Sequence, residues 1–350
     1  MELPKSLGIP VNLLAACFNN TSATYKYYWL LSIIQTVETG QLKISKRVLF
    51  SKMISNAWFT VNYFHVSFGK QDLIQNAIQT IKATERIPVD EQSQIIFEIL
   101  NQTNNNLTIK QLWHFNKTVP HWFLSPWFPQ MGKREIYAES HDTKNNCLYT
   151  LFDENIEINP NWITYLTENA RVLKDFCFWN LALFLQAKNP NVPDIPNKLI
   201  KPAVRNSLLR QRTKFWDLVM KELGSVKCIY TGEELTFRNY AVEHFIPYNF
   251  VSHDLIWNLI PASKKFNSKK SDKLPPLEKY FDPFYSLQKK AIETIREHDP
   301  QNKFLEDYLT IFSDLNELSN LPADFTREKF KQRIQPLITI ASNNGFDFLQ

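Results

Sequence analysis

The chain has 350 residues, 44 % apolar and 21 % charged, with a net charge of +5 and 26 Phe, 13 Tyr and 9 Trp. That composition describes a folded protein of about two domains and excludes bulk disorder. Its seven glycines are never closer than eight positions apart, so neither a phosphate-cradling P-loop nor a dinucleotide-binding Gly-x-Gly-x-x-Gly can be built. In chain order, Leu14-Ala15-Ala16-Cys17 imitates a lipoprotein cleavage site. Pro4, Gly8, Pro10 and Asn12 interrupt the apolar run that a leader needs, so lipidation is not expected. Residues 25–37 are rich in aromatic and long apolar side chains without breakers and predict a helix, and residues 47–68 continue in that style. Residues 72–83 carry Leu73, Ile74, Ala77, Ile78 and Ile81 at helical spacing.

Residues 101–107 read as an Asn-rich loop. Residues 113–128 crowd Trp113, Phe115, Trp122, Phe123, Trp127 and Phe128 around prolines, a pattern that packs a core or stacks on unpaired bases. His114, His121 and His141 accompany them at spacings that match no metal motif. Residues 135–158 predict two or three short strands, and residues 162–186 predict helix. The segment 189–202 carries Pro190, Pro193, Pro196 and Pro202 and reads as a linker. A helix over 205–223, closed by Gly224, follows it; Arg205, Arg210 and Arg212 on that helix are candidate phosphate contacts. Pro275 and Pro276 break the chain again before a helical C-terminal stretch.

The expected organisation is a mostly helical recognition or regulatory region (1–200), a catalytic region (203–275) and a C-terminal helical region (276–350). Cys17, Cys147, Cys177 and Cys228 form no Cys-x-x-Cys pair. They predict neither a structural zinc nor a disulfide framework, and they suit a reducing, cytoplasmic setting. No apolar run reaches the ~20 residues that span a bilayer, so no membrane partner is expected. Charge is concentrated: residues 201–274 hold thirteen Lys and Arg against seven Asp and Glu, while the rest of the chain sums to −1. A basic segment inside a neutral scaffold is how a site for an anionic polymer looks.

The same segment contains Glu243-His244-Phe245-Ile246-Pro247, then Asn258-Leu259, then Asn267-Ser268-Lys269-Lys270. Hydrolysing a phosphodiester needs a base that titrates near neutrality and a divalent cation on the leaving oxygen. His244 supplies the first, and Glu243 with Asn267 supply hard oxygens for the second. Residues 240–246 read as a strand. Neighbours on a regular strand face opposite ways, so an irregular backbone is expected where Glu243 and His244 meet. A short helix should carry Asn267, with Lys264 and Lys270 near its face and Lys265, Lys269 and Lys273 alongside as contacts to phosphate.

These three separated pieces resemble the HNH nuclease family, the ββα-metal finger. Asn at the third position is similar to the HNH module of RNA-guided CRISPR effectors. The resemblance covers about a seventh of the chain. It implies a mainly α protein with a small α+β part, the ββα finger lying between helical regions. It makes His244 the general base and Glu243 with Asn267 the metal ligands. Asn258 would fix the loop that orients His244, and the products would be a 5′ phosphate and a 3′ hydroxyl. Two departures stand out. Thr231 occupies the place where a zinc-binding partner of Cys228 would be, so packing by Phe245, Trp257 and Ile260 must hold the finger. Glu243 stands where Asp is commoner. His253 in the motif loop is a candidate supporting group.

The implied function is a metal-dependent DNA endonuclease, using Mg2+ with Mn2+ able to substitute. Its setting would be restriction or anti-phage defence, with a protein partner or a second copy bound through the N-terminal region. A toxin-like nuclease acting on RNA or host DNA stays open. So do a catalytically weak nucleic-acid-binding subunit and a mobile-element endonuclease.

Overall fold

A computed structural model of the protein describes residues 2–200, 207–314, 316–317 and 323–350. The Tyr25–Val37 helix is apolar on almost every side, and the structure buries it accordingly, with Trp29, Leu30, Ile33 and Ile34 sealed from solvent. The Lys46–Asn62 and Ala170–Lys188 helices pack against it. The Trp29 indole donates to Tyr149 Oη (2.9 Å), and Tyr149 donates in turn to the Pro120 carbonyl (2.7 Å), so the buried polar tips are satisfied. A small antiparallel sheet flanks these helices in the order β1 (Lys43–Ser45), β3 (Asn155–Ile158), β2 (Tyr149–Leu151), with Ile44 opposite Ile156 and Leu151 opposite Ile156. Asp72 caps the Leu73–Glu85 helix through Ile74 N–H (2.9 Å) and also accepts from the Thr24 N–H and hydroxyl, both at 2.6 Å.

Several local expectations change. The second helix ends at Asn62 rather than running to 68, with His65 in the left-handed region (φ 52°) just beyond it. The Asn-rich loop shrinks to three residues between the Ser93–Gln102 and Asn106–His114 helices, because Asn105 caps the second of them. Residues expected to begin the strands form the Lys133–Glu139 helix, which the Glu135 carboxylate closes by accepting from Gly132 N–H (2.6 Å). The helical stretch 162–186 is two helices, Pro160–Glu168 and Ala170–Lys188, parted at Asn169. Six residues of the expected linker form the Ile195–Ile200 helix, packed on the Lys46–Asn62 and Ala170–Lys188 helices with Ile195 and Lys198 buried. Pro196 sits in its first turn, where a missing N–H costs nothing. The aromatic stretch is mostly core: Phe115, Phe123 and Phe128 are buried, and Trp122 is the one large apolar side chain there that is exposed, at 45 %.

The chain divides into two compact units. One contains the elements described so far. The other takes in residues 191–194 and the chain beyond 206, so the finger and the C-terminal helices share one unit. Its first helical stretch runs from Leu209 through a wider π turn (Arg212–Trp216) to Leu223 and stops at Gly224, whose φ of 71° a side chain would resist. Arg205 lies outside the described residues. A hairpin of β4 (Ser225–Lys227) and β5 (Glu234–Thr236) follows. Then come β6 (Ala241–His244) and β7 (Leu259–Ala262), paired antiparallel, and the Lys264–Lys270 helix: two strands and a helix in the expected order. The Leu277–His298 helix backs this finger. Phe284 stacks on Phe245 with ring centroids 3.9 Å apart, and buried Gln288 donates to the Leu259 carbonyl (2.7 Å) while accepting from Tyr308 (2.5 Å).

Candidate active site

The β6–β7 ladder is regular through both residues of the Glu243-His244 pair: Glu243 lies opposite Ile260 and His244 opposite Leu259. The irregularity expected at those two residues is therefore absent and begins only at Phe245. The two side chains meet different partners, Lys270 for Glu243 and Asp254 for His244. Both residues are 4 % exposed.

Glu243 meets Lys270. Their Oε1 and Nζ are 3.1 Å apart, and the lysine side chain is 0 % exposed. This corrects the expectation of a phosphate contact: Lys270 is turned inward on the finger helix, so its ammonium neutralises a buried carboxylate instead of standing at the surface. Glu243 Oε2 takes no hydrogen bond among the described residues and is not sealed from solvent. Beside this carboxylate the Tyr230 hydroxyl is buried without a hydrogen-bond partner, and burial, with the Glu243 charge adding to it, pushes its pKa well up. Tyr230 is held by stacking on Phe266 (4.8 Å). Asn267 is half-buried on the same helix as Phe266, and its side-chain amide makes no hydrogen bond among the described residues.

His244 meets Asp254, with Nε2 2.9 Å from Oδ1. Its Nδ1 makes no hydrogen bond among the described residues and is not sealed from solvent. The ring lies 5.5 Å from that of Tyr248. His253, next to Asp254, packs its ring at 5.3 Å from Trp257, and its Nδ1 accepts from Leu255 N–H (3.4 Å). The side chain in contact with His244 is thus Asp254, one residue after the candidate His253. Its signal was faint: an Asp in the loop between two motif pieces.

Asn258 is fully buried and clamps the chain that follows β6. Its Oδ1 accepts from Ile246 N–H (2.8 Å), its Nδ2 donates to the Ile246 carbonyl (2.9 Å), and its own carbonyl accepts from Phe245 N–H (2.7 Å). The last of these carries the β6–β7 register one rung further, and the two side-chain bonds take over where Pro247 ends it. Around the clamp, Phe245, Trp257 and Ile260 are all fully buried. Cys228 is buried too, its sulfur accepting weakly from Ser263 N–H (3.5 Å).

Lys264, Lys265 and Lys269 are exposed on the finger helix. Arg210 is exposed, whereas Arg212 lies over the Tyr240 ring (4.7 Å) and approaches Asp217 (3.7 Å). Among the described residues no three His, Cys, Asp or Glu side chains gather as a metal cluster. A site built from Glu243 and Asn267 offers one carboxylate and one amide oxygen. Two protein oxygens suit Mg2+, which keeps most of its coordination for water and phosphate. The free Glu243 Oε2 and the unbonded Asn267 amide fit such a cation.

An HNH endonuclease family model matches residues 228–276. A 64-residue stretch is 36 % identical to the CRISPR-associated endonuclease Cas9 of Listeria innocua serovar 6a. That alignment covers 17 % of this chain and 5 % of the Cas9 chain, so the likeness is confined to one domain of a much longer protein. No solved structure matches the chain. Among the described residues no helix is long and apolar enough to cross a membrane.

Proposed function

We propose that the chain, whose residues 228–276 match an HNH endonuclease family model, is a metal-dependent endonuclease of DNA serving restriction or anti-phage defence. The observation that carries the reading is a base and an oxygen pair held by one clamped hairpin and its helix: His244 with a free Nδ1, and Glu243 with Asn267. A divalent cation, Mg2+ or Mn2+, would be held by Glu243 and Asn267 and would supply neutralisation of charge on the leaving 3′ oxygen. His244 Nδ1 takes the proton of the attacking water as the new oxygen–phosphorus bond forms. The bond to the 3′ oxygen breaks, and that oxygen is protonated from solvent. Asn258 holds residues 245–246 in place, so the ring of His244 is presented from a fixed strand end. Exposed Lys264 and Lys269 supply positive charge for the flanking phosphates, a sequence-independent attraction that salt weakens.

One active site per chain nicks one strand at a time. The test is relaxation of supercoiled plasmid by the full chain in Mg2+, Mn2+ or EDTA, with His244→Ala beside wild type. Metal-dependent nicking lost in the variant is expected. Salt-sensitive DNA binding with no cleavage in any metal would replace the enzyme by a nucleic-acid-binding subunit. Cleavage that persists in His244→Ala would displace the base from His244.

A further inference from the structure

Asp254 lies ten positions after His244, beyond the Tyr248–Val251 helix and a left-handed Ser252 (φ 57°) that turns the chain back. The turn brings its Oδ1 to 2.9 Å from His244 Nε2. The segment is anchored on both sides of the contact. The Gln211 amide donates to the Asp254 carbonyl (3.4 Å), and the Ile256 N–H is held by Asp307 Oδ2 (2.8 Å).

A carboxylate can only accept, so this contact requires the imidazole proton to sit on Nε2. The lone pair is then on Nδ1, the nitrogen that makes no hydrogen bond among the described residues, on a side chain that is 5 % exposed. We infer that Asp254 is a positioning residue: it selects the His244 tautomer whose Nδ1 is the base, and it faces the positive charge that forms when Nδ1 takes a proton from water. The inference rests on the endonuclease reading and adds to it a residue outside the three family pieces. The physical logic is that of any base held by a third group, in which the wrong tautomer silences an otherwise intact site. Asp254 keeps some solvent contact, with its side chain 18 % exposed, so its replacement should leave the fold in place.

The test uses the full chain in two arms. The first is nitrogen NMR of His244 without metal, comparing wild type with Asp254→Asn and Asp254→Ala and assigning the signal with His244→Gln. The expected result is a single Nε2–H tautomer in wild type and a mixture in both variants, since Asn can present either face of its amide and Ala neither accepts nor donates. The second arm is plasmid nicking. Both Asp254 variants are expected to lose about 100- to 1000-fold in kcat with KM nearly unchanged, within the range that general-base catalysis spans. Asp254→Asn should cost nothing further in a His244→Ala background.

Wild-type tautomer and wild-type nicking in the variants would overturn the role of Asp254 and leave the endonuclease reading standing. A shifted tautomer with full nicking would overturn it as well. Failure of wild type to cut in any metal would sink the endonuclease reading and this inference with it. In that outcome the tautomer arm would report only on the geometry of the Asp254–His244 contact.

Discussion

Lys270→Met should destabilise the finger and make it depend on metal. The substitution keeps most of the side-chain volume and removes an ammonium that is 0 % exposed and 3.1 Å from Glu243 Oε1. At an effective dielectric of ~20, the attraction across that distance is about 5 kcal/mol before desolvation is counted. Breaking a buried pair from one side costs about 3–5 kcal/mol, because the remaining charge keeps its burial and loses its partner. The loss should fall on the β6–β7 hairpin and the Lys264–Lys270 helix. The sensitive assay is therefore hydrogen exchange of peptides from those segments, run beside urea unfolding of the full chain. The double variant Glu243→Gln with Lys270→Met should recover most of the loss, since no buried charge is left unpaired. Mg2+ should protect the finger more in Lys270→Met than in wild type, because the cation no longer competes with an internal ammonium; at a hundredfold excess over Kd its binding contributes about 2.7 kcal/mol. Wild-type exchange in Lys270→Met would refute the buried pair, and an identical Mg2+ response in the two proteins would refute Glu243 as a metal ligand.

Asn258→Ala leaves the Ile246 N–H and carbonyl buried without partners. At about 1–3 kcal/mol for each of the two orphaned groups it should cost roughly 2–6 kcal/mol in urea unfolding, with nicking falling in parallel. Asn267→Ala should do the opposite: the half-buried amide makes no hydrogen bond among the described residues, so melting should stay within about 0.5 kcal/mol of wild type while metal-dependent nicking is lost. In the N-terminal unit, burial pushes the His121 pKa down from 6.5 to about 4, with Lys133 and Lys46 adding to the effect. Between those values the unfolded chain binds a proton that the folded chain refuses. The His121 contribution is therefore full above about pH 6.5 and is lost as pH falls towards 4. His121→Leu should flatten that part of a plot of melting temperature against pH, and an unchanged slope would contradict the assignment.

The HNH pattern of the finger was legible in the residues themselves. Glu243-His244, Asn258 and Asn267 can be found without a structure because residue type and spacing carry the signal, and the two strands and helix that hold them appear in that order. The Tyr25–Val37 helix was equally plain, since an unbroken apolar run has few other ways to be satisfied. Tertiary structure decided the rest. Lys270 looks like any surface lysine until Glu243, 27 positions earlier, is brought against it. Asp254 looks like a loop acid until a left-handed turn at Ser252 returns it to His244. The proline-rich segment became a packed helix because Pro196 falls in a first turn, and the Glu135 carboxylate turned an expected strand into a capped helix. Sequence periodicity reports which face of a segment is apolar and which residue types it offers. It does not report what arrives from far along the chain to meet a buried charge or an imidazole, and in this protein those arrivals set the electrostatics of the site.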